Sequence, residues 1–397
     1  MAVEEVICET TTAECENEDF IMVTEIESIP MSSPDITEDD IRAVSDVVRS
    51  GRLALGPKTE EFERRIAEYV GAKYAVAVNS GTSALHLMAR AMGLGPGDEV
   101  LVPSFTFAAS VNAPLYVGAT PVFVDIEPDT YNLDPQDLEK KITPCTKAII
   151  AVDVFGHPAD WREINRIAAR YDLKVIDDSC EALGAEYEGT KLGRFGDVAA
   201  FAFYPNKQIT TGEGGMIVTN DCETASICRS MRNQGRGEMG AWLEHERLGY
   251  NYRMTEMSAA LGITQIMRIE KILAKRQQVA RMYNDRLSCL DHVSPPVIRP
   301  NVKMSWFVYI ATLAEGLDRD QVMRDMMNMG IPTRGYFSPM HQQSYIQKSL
   351  GTRKWTLPVT ESAAKRTIAL PFHGNLSLAE VEHVVDALSE CTRRQHS

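Results

Sequence analysis

The sequence predicts an α/β fold, with a large domain of mostly parallel mixed sheet flanked by helices and a smaller C-terminal α/β domain. Three observations lead there. From about residue 35 short apolar runs alternate with amphipathic stretches, the pattern of parallel strands covered by helices. The chain has 397 residues, more than one hydrophobic core usually serves, so two domains are expected. After a long helical pattern the remaining chain shows an alternation of its own.

In order, residues 1–30 are Thr- and Glu-rich without sustained periodicity and read as an acidic, flexible extension with a short apolar patch at Phe20–Val23. Phe62, Ile66, Tyr69 and Val70 share a helical face; Ala75–Val78 follows as a strand and Ser83–Met92 as an apolar helix. Glu99–Val102, Pro121–Asp125, Ala148–Val152, Leu173–Asp177, Val198–Phe203 and Gly215–Thr219 read as strands, and Asp160–Tyr171 as a helix. One long helix is expected over Thr255–Leu287. The large domain then spans 31–270 and the small one 271–397, the latter holding the alternation Trp306–Leu313 and a helix over Asp318–Met329. No repeat with a period of 20 to 50 residues is visible, which sets solenoids and propellers aside.

Composition excludes several classes of function. With 44% hydrophobic and 24% charged residues the chain is of ordinary globular type. It has no apolar run of about 18 residues and no basic, apolar leader, so no membrane partner and a cytoplasmic location are expected. The net charge is −14, but residues 1–40 hold 13 Asp and Glu and no Lys or Arg, which leaves the body near neutral. A nucleic-acid partner needs a basic stripe, and none is present. The eight cysteines are scattered without metal or disulfide spacing, so no metal site is expected and most should be small buried residues.

Three segments carry chemistry. Asn79-Ser80-Gly81-Thr82-Ser83-Ala84-Leu85 takes a strand through a turn into a helix, aiming free backbone N–H groups at one point, a place for a phosphate. Ser and Thr before a helix are also common caps, so the segment is weak alone. Strand Leu173–Asp177 runs into Asp178-Ser179-Cys180-Glu181, setting carboxylates at the C-terminal sheet edge where open α/β folds bind ligands, with Asp177 and Asp178 pointing to opposite sides. The strand Val198–Phe203 ends in Tyr204-Pro205-Asn206-Lys207 before a glycine-rich turn, which places Lys207 in a sheltered site suited to a nucleophile. A phosphate cradle, a strand-end carboxylate and a sheltered lysine are together the parts that hold pyridoxal 5'-phosphate (PLP): the lysine forms the imine, the Asp keeps the pyridine nitrogen protonated, and the cradle anchors the phosphate.

On these motifs, together with Ser50-Gly51-Arg52-Leu53 and Gly56, Pro103-Ser104-Phe105-Thr106-Phe107, Phe155-Gly156-His157-Pro158-Ala159-Asp160, Gly196-Asp197, Leu248-Gly249-Tyr250-Asn251-Tyr252-Arg253-Met254 and Leu370-Pro371-Phe372, the chain resembles the DegT/StrS family of PLP-dependent sugar aminotransferases of fold type I. The match runs over about residues 30 to 385. The resemblance implies that Lys207 binds the cofactor and later shuttles a proton, and that Asp178 pairs with the pyridine nitrogen. It gives the phosphate to Gly81 and Thr82, and the ring face to Phe107. Asn251 would reach the neighbouring subunit's cofactor, making a homodimer with shared active sites. Arg253 and His341 match positions that face the substrate, where a cation suits a sugar diphosphate. Tyr336 and Trp242 are similar cases and receive no role.

Two residues depart from the family pattern. Ala202 stands where many members carry a serine, so another group must supply that hydroxyl's contact with the phosphate. Glu181 stands where Gln or His is frequent, toward the ring's phenolic oxygen, and an upward-shifted carboxyl is expected there. The implied reaction moves an amino group from L-glutamate to a nucleotide-linked keto-sugar in amino-sugar biosynthesis. The alternative acceptor is a keto-inositol such as scyllo-inosose, aminated by glutamine. A dehydratase branch of the family carries histidine in place of the lysine, which Lys207 argues against; a PLP-sensing regulator would need a DNA-binding module, and no basic recognition helix is present.

Overall fold

Seven strands build the large sheet of the computed structural model, which describes residues 29–237, 244–351 and 355–396. The acidic extension, with its patch at 20–23, lies outside the described residues up to residue 28, and so does Trp242. The spatial order is Tyr74–Val78, Gly215–Thr219, Val198–Ala202, Lys174–Asp178, Thr146–Val152, Glu99–Pro103, Thr120–Val124. Gly215–Thr219 is antiparallel to both its neighbours, and every other pairing is parallel.

The strands are apolar on both faces because helices cover both. Val76, Val78, Val100 and Ile176 enter one buried cluster, while the alternating residues Ala75, Ala77, Leu101 and Val175 enter two others on the opposite face. Val78, Pro103, Asp178 and Ala202 all end their strands at one edge, so the segments that follow them gather there.

The region after Thr255 differs from the expected single helix. Glu256–Met267 and Ile269–Leu287 are separate helices broken at Arg268, whose backbone leaves helical geometry at φ −119° and ψ 16°. The cause is remote in sequence: the Arg268 guanidinium pairs with Asp35 at 2.5 Å and with Asp40 at 2.8 Å, pulling the junction onto the first described segment. Apolar periodicity continues through the break, since Ile263, Ile266, Ile269, Ile272 and Leu273 share one cluster.

A second, antiparallel sheet joins Val293–Ser294, Tyr309–Leu313 and Thr367–Leu370. One buried cluster runs from Val100 and Phe123 of the large sheet to Tyr309, Leu370 and Leu388. Phe105, Phe155 and Phe337 bridge the two sheets with ring centroids 5.4–6.0 Å apart. The expectation for the cysteines needs correction. Of the six described, Cys145, Cys222 and Cys289 are exposed because each lies in a turn or at a helix terminus, and Cys228 and Cys391 are the buried ones.

Candidate active site

At the shared edge of the large sheet lies a cleft of about 510 Å³, lined among others by Gly81, Thr82, Phe107, Asp178, Glu181 and Lys207. The cradle forms because Ser80 caps the helix Gly81–Ala91 by accepting from Ser83 N–H at 3.1 Å, leaving the Gly81 and Thr82 N–H groups outside that cap. Gly81 packs closely on the lysine strand: a Cβ there would lie 2.8 Å from Ala202 Cβ and 3.0 Å from Cys180 Sγ. The Ala202 methyl is thus a wall beside Gly81, and Ser80 and Thr82 are among the hydroxyl residues that line the cleft.

Asp178 is buried, and its orientation is fixed by two donors. Ser110 Oγ donates to Oδ2 at 2.6 Å and Cys180 N–H to Oδ1 at 3.2 Å, while Thr106 Oγ1 lies 2.9 Å from Ser110 Oγ. Asp177 points away, as the alternation requires, into a sealed group with Asp153 and Ser179. Burial raises both carboxyls, and Asp177 goes further because Asp153 lies beside it.

Lys207 sits in the connection between the antiparallel strands Val198–Ala202 and Gly215–Thr219, whose mouth is closed by Phe203 N–H donating to Gly214 O at 3.0 Å. Its side chain is 12% exposed, with Nζ 3.6 Å from Glu181 Oε1 and 3.7 Å from the Phe307 ring centroid. Glu181 is buried and accepts the Phe155 N–H at 2.9 Å; burial pushes its carboxyl up, against the pull of Lys207. Phe107 stands at the N-cap position of the next helix and is 62% exposed at the cleft.

The remaining three residues lie elsewhere. Asn251 is exposed and bridges to Asn233, and Arg253 Nη1 donates to Asn233 Oδ1 at 3.0 Å; neither lines the cleft of its own chain. His341 does not face the cleft either. It is buried beside Phe123, with Nδ1 2.7 Å from Ser104 Oγ and Nε2 3.4 Å from Glu361, and burial lowers its pKa. Sequence reasoning missed Ser110, Phe307 and Phe337 in the cleft and left Tyr336 unassigned. Ser110 carried a signal, four residues past Thr106 in the first turn of the helix after the Pro103–Phe107 motif. The other three come from the second sheet's loops, where no motif marks them.

The model of the DegT/DnrJ/EryC1/StrS aminotransferase family matches residues 34–389, most of the chain. The chain belongs to that family. Among its relatives, the GDP-perosamine synthase of Caulobacter vibrioides is 43% identical over 342 residues, covering 85% of this chain and 91% of that protein. The aminotransferase PseC of Helicobacter pylori, involved in the biosynthesis of pseudoaminic acid, superposes with a TM-score of 0.89 at 28% identity, over 93% of this chain and 100% of that one. The PLP form of Spr1654 from Streptococcus pneumoniae, described as a putative sugar aminotransferase, gives a TM-score of 0.88 at 31% identity over 93% and 100% of the two chains. This DegT/DnrJ/EryC1/StrS member is therefore an aminotransferase with the fold of those enzymes. Among the described residues of this aminotransferase no helix is long and apolar enough to cross a membrane.

Proposed function

We propose that this aminotransferase transfers an amino group from L-glutamate to a nucleotide-linked keto-sugar in amino-sugar biosynthesis, with PLP held on Lys207. The observation that carries the reading is the convergence of a lysine, an oriented carboxylate and a capped helix start in one cleft. The relative named GDP-perosamine synthase supports an acceptor carried on a nucleoside diphosphate, and the PLP form of Spr1654 supports the cofactor.

The residues present fit PLP. When bound, PLP supplies an aldehyde that captures amines and a protonated ring that withdraws electrons from the reacting carbon. Lys207 would hold the aldehyde end, and its Nζ would be the group that moves a proton at the reacting carbon. Asp178, fixed by Ser110 and the Cys180 N–H, would hold the proton on the ring nitrogen. The Gly81 and Thr82 N–H groups and the Thr82 hydroxyl would receive the phosphate, and the Phe107 ring would cover the ring face. Glu181, whose carboxyl burial shifts up against the pull of Lys207, would lie toward the phenolic oxygen of the cofactor. In a homodimer, Asn251 and Arg253 serve the partner's cleft, Asn251 at the phosphate and Arg253 at the sugar diphosphate. His341, sealed against Ser104, has no part in this reading.

The test supplies purified protein with PLP, nitrogen-15 L-glutamate and a panel of nucleotide-linked keto-sugars, with a keto-inositol plus glutamine for comparison. Mass spectrometry should find label in a nucleotide-linked product, and borohydride reduction should leave the phosphopyridoxyl group on Lys207. Amination of the keto-inositol alone overturns the substrate, and a label on another lysine overturns the site.

A further inference from the structure

Arg276, on the helix Ile269–Leu287, is 3% exposed, and no acid pairs with it among the described residues; Asp35 acts on it only at a distance. Its guanidinium instead spans four backbone carbonyls on two segments. Nη1 donates to Trp306 O at 3.1 Å and Phe307 O at 3.2 Å, and Nη2 to Asn206 O at 3.3 Å and Lys207 O at 2.9 Å. Burial lowers its pKa to about 10, so it stays charged at neutral pH. A buried charge answered only by carbonyl dipoles stabilises a fold less well than an apolar side chain of the same volume does. What the guanidinium supplies is geometry: a planar fork whose several donors reach separate acceptors, which an ammonium on a flexible stem cannot reproduce.

The two segments it joins are the ones that surround the reactive amine. One carries Lys207, and the other carries the Phe307 ring that lies 3.7 Å from Nζ. Gln208 adds a second strap between the same regions, donating to Glu181 O at 2.6 Å and to Ser305 Oγ at 2.9 Å. We propose that Arg276 is the positioning residue that holds the Lys207 peptide against the Phe307 peptide, and so fixes where Nζ stands in the cleft. It touches neither cofactor nor substrate and acts through Lys207. The inference rests on Lys207 being the lysine that binds PLP.

The test uses the PLP-loaded enzyme and reads the pH midpoint of its visible absorbance band beside kcat and KM. Arg276→Lys should keep the band but lower its midpoint by roughly half a pH unit or more, because a cation at Nζ loses its aromatic face. Its kcat should fall on the order of tenfold or more, with KM for glutamate within about twofold, since misplacement affects the chemical step more than binding. Ile272→Val, buried on the same helix, should lower thermal stability without moving the midpoint. Phe307→Leu keeps the carbonyl that Arg276 binds and removes the ring, and should move the midpoint in the same direction as Arg276→Lys. A wild-type midpoint and kcat in Arg276→Lys overturn the proposal; where that variant fails to fold, a wild-type midpoint in Phe307→Leu overturns it. Borohydride labelling of wild-type enzyme separates the two readings. A label away from Lys207 sinks the PLP assignment, whereas a label on Lys207 with unmoved midpoints sinks only the role of Arg276.

Discussion

Asp177 and Asp178 are neighbours in sequence with opposite surroundings, and their substitutions should differ accordingly. Asp178→Asn should still bind PLP yet lose transamination by on the order of a thousandfold or more, because a neutral amide cannot hold the proton on the ring nitrogen. Asp177→Asn should be far milder. Burial and the adjacent Asp153 already favour the protonated, neutral form of Asp177, and Ser179 Oγ can accept from an amide while donating to Asp153. The pH dependence has a definite sign. A carboxyl whose folded pKa lies above its ordinary value of 3.8 binds more protons folded than unfolded, so it lowers stability as pH rises above about that value. Melting curves should therefore show Asp177→Asn near wild type at about pH 4 and gaining on it as pH rises toward neutrality. A gain that shrinks over this range contradicts a carboxyl raised by burial and by Asp153. The alternation of a strand separates the two residues in the sequence alone, but Asp153, whose charge beside Asp177 favours the neutral carboxyl, comes from another loop.

The helix Pro57–Val70 begins with Pro57, which has no N–H to satisfy, and its next two N–H groups are met from far along the chain. Lys58 N–H and Thr59 N–H donate to the buried Glu256 carboxylate at 2.8 and 3.0 Å, joined by the Thr59 hydroxyl. These bonds outweigh burial and hold the carboxyl below its ordinary value of 4.5, so its stabilisation is present above that pH and is lost as pH falls through the lower folded value. Glu256→Gln should cost about 1–2 kcal/mol in denaturant unfolding at neutral pH, and less in acid. A cost that is equal at both pH values contradicts capping by a charged group. At this scale, apolar runs bounded by turn residues marked all seven strands of the large sheet within about two residues, because both faces of each strand are covered and its composition alone sets it off. The break at Arg268 was illegible for the converse reason: the periodicity runs through it, and the ion pairs that force it come from Asp35 and Asp40.

For the whole molecule we propose a homodimer in which each cleft is completed by the other chain. Asn251 lies outside its own cleft, and Leu53, Leu55, Tyr116, Tyr204 and Leu248 are large apolar side chains left between 44% and 69% exposed. An isologous interface would bury such residues from both chains. Mixing Lys207→Ala and Asn251→Asp protomers under subunit exchange should give heterodimers with one doubly damaged site and one intact site, restoring activity that neither variant has alone. No recovery, with exchange confirmed by a tagged control, overturns the shared site. The cradle strand Tyr74–Val78 lies at the sheet's edge, and its single neighbour there is the antiparallel strand Gly215–Thr219. Val78 pairs with Gly215, 137 residues later in sequence. During synthesis at about 5–20 residues per second, that interval lasts roughly seven to thirty seconds. Through it the apolar strand has left the ribosome with no backbone partner, an open template for other chains. The turn after Val78 and the segment that carries Lys207 are thus both set in place by the same strand, and a ribosome that stalls before residue 215 releases neither.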